Sequence, residues 1–431
     1  MEFQEYKYRW VILLLYCLAE AMNAMVWITC SSITSVISKT YNVSTFAVAL
    51  CSLVYMIAYI PLVFPSNYIL DTYGLKAGTI IGIGITTLGA WFHVGAYDNF
   101  WSILVGSILG GIGQPFLLNA PAKLAAFWFR PNTRAIATTI GSVSNPIGIA
   151  IGFGLPGIIV TSSKSKEEIG NLMLVEACLS TAVCISCIIF FKSKPKTPPS
   201  NSADMKREEF LPSMKQLLKN KNFIMLFIFF AMGQGALNAF ATLLDQISKP
   251  YGFSSSDNSL FGALVIIFGL IGSGIAGGIV AVTQRYRISC LVIAFGSLGG
   301  IVAFLAVLPL ESTLWSAIFA SVLGLLLMPI LPVSFEFVCE VTFPIGEAMS
   351  GGFLNWGGQI VGIAEVGLSY LLSNQAIIVG IICSSGILLG GLCMVFVKQD
   401  LRRTNNDKVH NLNNELHYEG LVSMLSGELT H

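Results

Sequence analysis

Glu20, Asn23, Trp27, Ser31 and Thr34 recur every three or four residues inside one long apolar run, Arg9 to Ile37. On a helix turning about 100° per residue they share one face. A carboxylate facing lipid costs several kcal/mol, so the stripe faces either protein or a water-filled cavity. In the first case its amides and hydroxyls bond between packed helices; in the second they line a site. Glu20 then either offsets a bound charge, responds to protons, or is paired structurally. Similar groups stand in other runs. Gln234, Asn238 and Asp245 share a face, with Thr242 slightly displaced; Asn355 and Gln359 lie one turn apart; Gln114 and Asn145, beside Pro146, occupy two more runs. Such side chains orient a small molecule. The sequence has no phosphate-binding loop, no nucleophile–base pair in a soluble loop and no metal-ligand cluster, so no enzyme, cofactor or metal is expected. Cys184 and Cys187 have a redox spacing but sit mid-run with no His nearby, and read as small residues in a packed helix.

The elements that hold these residues must be membrane helices. Of 431 residues, 54% are hydrophobic and 11% charged, against roughly 25% charged in soluble domains. A net charge of +1 gives no nucleic-acid footprint. All ten Cys fall in apolar runs, against a disulfide framework. The first run is too long for a cleavable signal peptide. Twelve runs are long enough to cross a bilayer: 9–37, 46–70, 75–97, 101–129, 135–161, 171–192, 223–247, 258–283, 288–310, 313–342, 348–372 and 375–397. The expected organisation is a cytoplasmic N-terminus (1–8), a six-helix half (9–192), a cytoplasmic linker (193–222), a second six-helix half (223–397) and a disordered cytoplasmic tail (398–431). Within the linker, Phe210 to Lys221 has the makings of a short basic surface helix. With both termini cytoplasmic, all but Lys39, Lys164, Lys166 and Lys249 of the 24 basic residues lie inside, which sets the orientation.

The halves look duplicated. An offset of 213 residues carries Tyr73 to Tyr286, Pro131 to Pro344 and Ala135 to Ala348. It also carries Lys123 to Glu336 and Arg134 to Glu347, reversing the charge. After the second run stands Asp71-Thr72-Tyr73-Gly74-Leu75-Lys76: a helix-capping acid, a tight-turn glycine and a basic residue for the head groups. This loop resembles that of the major facilitator superfamily, which implies an all-α fold of twelve transmembrane helices in two pseudo-symmetric halves, working by alternating access. Ion pairs among Lys123, Arg134, Glu336 and Glu347 would then hold the cytoplasmic ends together when the cavity opens outward; the other reading is local pairing within one half.

Four stretches resemble, more closely, the feline leukaemia virus subgroup C receptor-related (FLVCR) transporters: Asn23 to Ile28, Met56 to Leu62 continuing to Leu70-Asp71-Thr72, Leu88 to Trp91, and Phe335 to Pro344 running on through Glu347 to Asn355 and Gln359. The resemblance implies a uniporter-like carrier of choline and ethanolamine, with haem export as an alternative. It implies an aromatic cage in which a ring attracts the ammonium by roughly 0.5–2 kcal/mol. Trp27 matches the cage tryptophan and Gln359 a glutamine near the substrate hydroxyl. The cage tyrosine, however, falls on Asn238, and a second glutamine falls on Pro146. Phe240 is the one nearby ring that could stand in. The expected substrate site is thus Trp27, Asn23, Gln114, Asn238 and Gln359, with Glu20, Asp71, Lys123, Arg134, Glu336 and Glu347 as coupling or gating residues. The expected function is alternating-access transport of a small organic cation. The alternatives are a porphyrin, for which His93 is the one histidine inside a run, another small metabolite, or a receptor that binds without flux. The expected partners are a small-molecule substrate and the lipid bilayer, with the chain a monomer and its expected place the plasma membrane rather than an organelle.

Overall fold

A computed structural model of the chain describes residues 6–161, 165–195, 197, 210–343, 345, 347–372, 376–402 and 405. Among them every regular element is helical. The first half holds α1 (Arg9–Ser32), α2 (Thr34–Tyr41), α3 (Thr45–Thr72), α4 (Leu75–Val94), α5 (Phe100–Leu118), α6 (Pro121–Trp128), α7 (Pro131–Ile159) and α8 (Lys166–Phe190). A short helix, α9 (Phe210–Lys219), precedes the second half, at the place the linker's composition suggests. The second half holds α10 (Lys221–Ser248), α11 (Ser255–Thr283), α12 (Tyr286–Val307), α13 (Thr313–Leu327), α14 (Ile330–Thr342), α15 (Glu347–Leu371) and α16 (Ala376–Phe396). The flexible linker and disordered tail expected from composition fall largely outside the described residues.

Three of the apolar runs are not single helices. The first breaks at Ile33, whose backbone (φ −119°, ψ 27°) leaves the helical region before α2 resumes. The β-branched sequence Ile33-Thr34-Ser35-Val36-Ile37 weakens helix propensity there. The fourth run breaks after Leu118, and Pro121 opens α6 at a position where a missing N–H costs nothing. The tenth breaks at Met328 and Pro329, since proline cannot donate to the preceding turn. Among the described residues, eleven helices or helix pairs are long and apolar enough to cross a membrane. α15 is not one of them by apolarity, because Asn355, Gln359, Glu365 and its glycines dilute it, yet it packs as the twelfth long helix against α10 and α3.

The outer surface is apolar: Ile158, Val282 and Leu371 are each more than three-quarters exposed. Water would not tolerate such a surface, whereas lipid does. Inside, helices approach closely through glycine. A Cβ on Gly89 would come 2.5 Å from the Gly106 carbonyl oxygen, so α4 and α5 meet backbone to backbone. The proximal end of the bundle is where α1 begins and α16 finishes; at the opposite, distal end α1 and α10 finish.

Candidate functional site

The stripe on α1 lies against several helices at once. Glu20 is buried, and its Oε1 accepts from Asn145 Nδ2 at 2.7 Å, tying α1 to α7 beside Pro146. Asn23 is fully buried, its Nδ2 donating to Thr86 Oγ1 (2.8 Å) and to the Gly110 carbonyl (3.0 Å), which joins α1 to α4 and α5. That is the helix-bonding role of the two the sequence left open, although Oδ1 keeps no partner. Ser31 shares a 2.7 Å hydrogen bond with Ser52 of α3.

Trp27 donates from Nε1 to the Ser52 carbonyl at 3.1 Å, which fixes its ring. Tyr55, one turn along α3, holds its ring centroid 6.5 Å away at a 47° tilt. The Tyr55 hydroxyl is buried without a partner, against Gly110, where any side chain would collide with it. Both rings belong to a buried cluster that continues into Leu237 and Phe240 of α10 and Val366 of α15, so they stand at the seam between the halves.

Across that seam the second half presents amides. Gln234 Nε2 donates to Asn238 Oδ1 at 3.1 Å, and Asn238 Nδ2 reaches Gln359 Oε1 at 3.5 Å, linking α10 to α15. Gln234 Oε1 remains buried and unpartnered. A Cβ on Gly362 would lie 3.1 Å from the Met56 sulfur of α3 and 3.2 Å from Asn238 Cβ, so the first half touches this relay. Phe240 does not stand in for a missing cage ring: it packs edge-on against Phe304, 5.3 Å away within the second half. Gln114 is buried on α5 before Pro115, with Oε1 unpartnered. His93 is wholly buried and bonds Ser107 at 3.1 Å, packing α4 on α5 rather than offering an axial ligand.

The candidate gating residues divide. Lys123 Nζ donates to the Leu70 carbonyl at 2.5 Å, capping the end of α3 within its own half, and Glu336 is exposed on α14. The side chains of Asp71, Arg134 and Glu347 lie outside the described ones.

At the distal end other residues join the halves. Asp245 at the distal end of α10 accepts from the backbone N–H of Ser35 through Oδ2 (2.7 Å) and from the Ser35 hydroxyl through Oδ1 (3.3 Å). Asn258 of α11 steadies the same carboxylate at 2.6 Å. Ser35 stands in the first turn of α2, whose N–H groups the break at Ile33 leaves without helical partners; a carboxylate from the other half supplies one. Nearby, the Tyr370 hydroxyl of α15 donates to the Thr45 carbonyl at 3.0 Å and its ring meets Phe46 at 4.9 Å. Above this latch an open cavity of about 300 Å³ is lined by Ser35, Thr45, Asp245, Gln246, Lys249 and Pro250. Asp245 was visible as a polar member of its run, but the donor it needed is a backbone group that only the helix break releases. Glu176, whose Oε1 accepts from Thr29, and Glu365 are further buried acids, detectable as charges within apolar runs.

Twelve long helices in two halves around a polar seam define a multi-pass membrane transporter, and the sequence profile of the Major Facilitator Superfamily matches residues 13–364, so the chain belongs to that superfamily. Within it the chain falls among the FLVCR transporters. It is 32% identical to choline/ethanolamine transporter FLVCR1 of Felis catus over 416 residues, covering 92% of this chain and 74% of the relative. It is 31% identical to choline/ethanolamine transporter flvcr2a of Danio rerio, covering 96% and 91%. An uncharacterized transporter of Caenorhabditis elegans, C09D4.1, is 32% identical over 92% of this chain and 70% of its own length. Among solved structures, a D-xylose–proton symporter superposes with a TM-score of 0.72 at 12% identity, over 92% of this chain and 99% of that one, and shares the fold. The relatives are transporters, and the chain is a transporter rather than an enzyme.

Proposed function

We propose that the protein carries a small organic cation of the choline or ethanolamine type across its membrane by alternating access, with the termini cytoplasmic. The observation that carries this reading is the pairing at the seam: Trp27 and Tyr55 on one side, Asn238 and Gln359 on the other. A ring face attracts an ammonium and an amide bonds a hydroxyl, the two ends of such a molecule. The names of the relatives point to the same substrates. Asn238 stands where the resemblance places a ring, which favours hydrogen bonding over a full cage.

In this reading the Asp245–Ser35 latch closes the outer end, and the distal cavity is the vestibule the substrate meets first. Lys123, Arg134, Glu336 and Glu347 act at the cytoplasmic end, and Glu20 holds α1 on α7 at the level of the site. The test is thermal stabilisation of the purified protein by choline, ethanolamine and haem, repeated with Trp27→Ala. A ligand that binds only the folded state raises its apparent stability by mass action. Choline or ethanolamine should stabilise the wild type and lose effect in the variant. Equal stabilisation of both proteins refutes the ring's role, and stabilisation by haem alone refutes the substrate class.

A further inference from the structure

Each half runs out of its last membrane helix into basic residues, and the two ends are built differently. After α16 the second half has Lys398 and Arg402; Arg402 pairs with Asp400 at 2.6 Å, and nearby Arg287 of α12 donates to the Val395 carbonyl. After α8 the first half has Lys192 and Lys194, both exposed. Their segment is pinned at two points: the Tyr8 hydroxyl donates to the Phe190 carbonyl, and Ser193 Oγ accepts from the Lys76 backbone N–H at 2.9 Å. So anchored, the two ammonium groups rest on rings. Lys192 Nζ lies 4.9 Å from the Tyr8 ring centroid, and Lys194 Nζ 4.9 Å from that of Phe127. The Arg9 guanidinium beside them is 5.2 Å from the Phe129 ring and 5.6 Å from Trp10. Among the described residues, every ring–cation contact at the proximal end belongs to the first half.

Two lipid-facing surfaces end at this corner. On α1, Val11, Leu14 and Leu18 are exposed together with Trp10. Trp27 follows Leu18 by nine residues, or two and a half turns, so the exposed stripe lies about 180° around α1 from the face at the seam. It therefore faces lipid and not the transport path. On α8, Ile185, Ile188, Ile189 and Phe190 are exposed, and Lys192 follows Phe190 by two residues. The two helices pack on each other. A tryptophan at the end of such a stripe stands at head-group depth, where a lysine rests its stem on apolar surface and presents its charge to phosphate. A ring face positions an ammonium group without neutralising it. Neither Lys192 nor Lys194 has an ion pair among the described residues, so both charges are held in place and uncancelled.

We propose that the corner formed by Tyr8, Trp10, Phe127, Lys192 and Lys194 binds the head group of one anionic phospholipid from the leaflet at the proximal end. The phosphodiester takes the two lysine ammonium groups, and the acyl chains run along the exposed faces of α1 and α8. The phosphate belongs to a lipid rather than to a soluble molecule, because the corner continues into apolar surface that acyl chains cover. The bound lipid ties the start of α1 to the end of α8, on the side of α1 away from Trp27. The inference rests on the chain lying in a bilayer, and not on which molecule it carries.

The test needs no transported substrate. The full chain, purified in a neutral detergent, is titrated with dioleoylphosphatidylserine or dioleoylphosphatidylcholine, and the first bound lipid is counted by native mass spectrometry. The serine lipid should bind about thirtyfold more tightly, from two basic groups at a lipid phosphate. Lys192→Gln combined with Lys194→Gln should bring the two lipids to near equality, and Lys192→Arg combined with Lys194→Arg should keep the preference. Lys398→Gln combined with Arg402→Gln removes as much charge from the proximal end of the second half and should leave the preference unchanged. Soluble glycerophosphoserine, at the same concentrations, should not displace the lipid. Equal binding of the two lipids by the wild type, or an undiminished preference in the Lys192/Lys194 glutamine variant, overturns the proposal. An equal loss in the Lys398/Arg402 variant overturns it too, by showing that net charge acts without a built site. Displacement by glycerophosphoserine overturns the lipid as the source of the phosphate.

Discussion

The seam between the halves is built in two ways, one at its distal end and one at its centre. At the distal end the bonds are charge-assisted or main-chain and satisfy both oxygens of the carboxylate: Asp245 accepts from Ser35 twice and from Asn258, and Tyr370 donates to Thr45. At the centre Trp27 and Tyr55 stand in a buried cluster that crosses the seam, and the amides of the second half are bonded to one another at 3.1 and 3.5 Å, with buried oxygens of Gln234 and Gln114 left over. A contact that must hold two bodies together satisfies its polar atoms. A contact that must receive a ligand leaves some of them free, because a buried acceptor without a partner is expensive until a donor arrives. In the proposed reading this contrast divides conformational work, at the distal end, from recognition, at the centre.

The sharpest way to break this division is at the latch. Asp245→Ala removes a charged acceptor that bridges the halves, and hydrogen bonds to charged groups contribute about 1.5–3 kcal/mol each. Since about 1.4 kcal/mol is tenfold in an equilibrium constant, opening of the distal end should become at least about tenfold more populated. Spin-label distances between positions 39 and 251, in a background freed of native cysteines, should show a longer component absent from the parent. An unchanged distribution would mean that Tyr370, Phe46 and the apolar packing suffice without Asp245.

At the centre the largest effect should come from Trp27→Ala. Loss of a desolvated ring–cation contact, worth about 2 kcal/mol, predicts choline binding weakened by about thirtyfold, measured by titration calorimetry. The latch distances should stay as in the wild type. If the same variant also opens the distal end, Trp27 holds the halves together and the two regions are not separable. Gln359→Leu should act less strongly, by about tenfold, because one net hydrogen bond contributes about 1 kcal/mol and an orphaned Asn238 adds to the loss. That loss should appear with choline and be absent with tetramethylammonium, which has no hydroxyl. Equal weakening of both ligands would place Gln359 against the ammonium instead.

How much of this could be read from the chain depends on the kind of group involved. The membrane helices followed from hydropathy, and Trp27, Asn238 and Gln359 stood out as polar or amphipathic groups in apolar surroundings. Hydropathy does not register a break in the backbone, so the runs containing Ile33, Leu118–Pro121 and Met328–Pro329 looked continuous; of these, the prolines were visible signals and Ile33 was only a weak one. The latch was hidden for the same reason, its donor being the Ser35 N–H. Helical spacing correctly put Asn23 on the face with Trp27. It had no means of showing that Thr86 and Gly110 would claim the amide nitrogen, since both partners come from other helices.

The smallest expected effect is also the most informative about the centre. Asn238→Tyr places a ring on α10 across from Trp27 and Tyr55, where the FLVCR resemblance puts one. A second ring face should tighten choline by about threefold, from an added cation–π contribution of about 0.5–1 kcal/mol at a partly desolvated site. The same change removes the middle member of the Gln234–Asn238–Gln359 relay, so Gln359 loses its bond from Asn238 Nδ2. A ligand that uses the amides should suffer while one that uses the rings should gain. Ethanolamine, with three N–H donors, is held by acceptors; choline, with none on nitrogen, is held by ring faces. The variant should therefore raise the choline-to-ethanolamine affinity ratio, read by competition at equilibrium. A ratio that does not move would show that α10 contributes shape rather than chemistry at this point, leaving Trp27 and Tyr55 to recognise the cation from one side only.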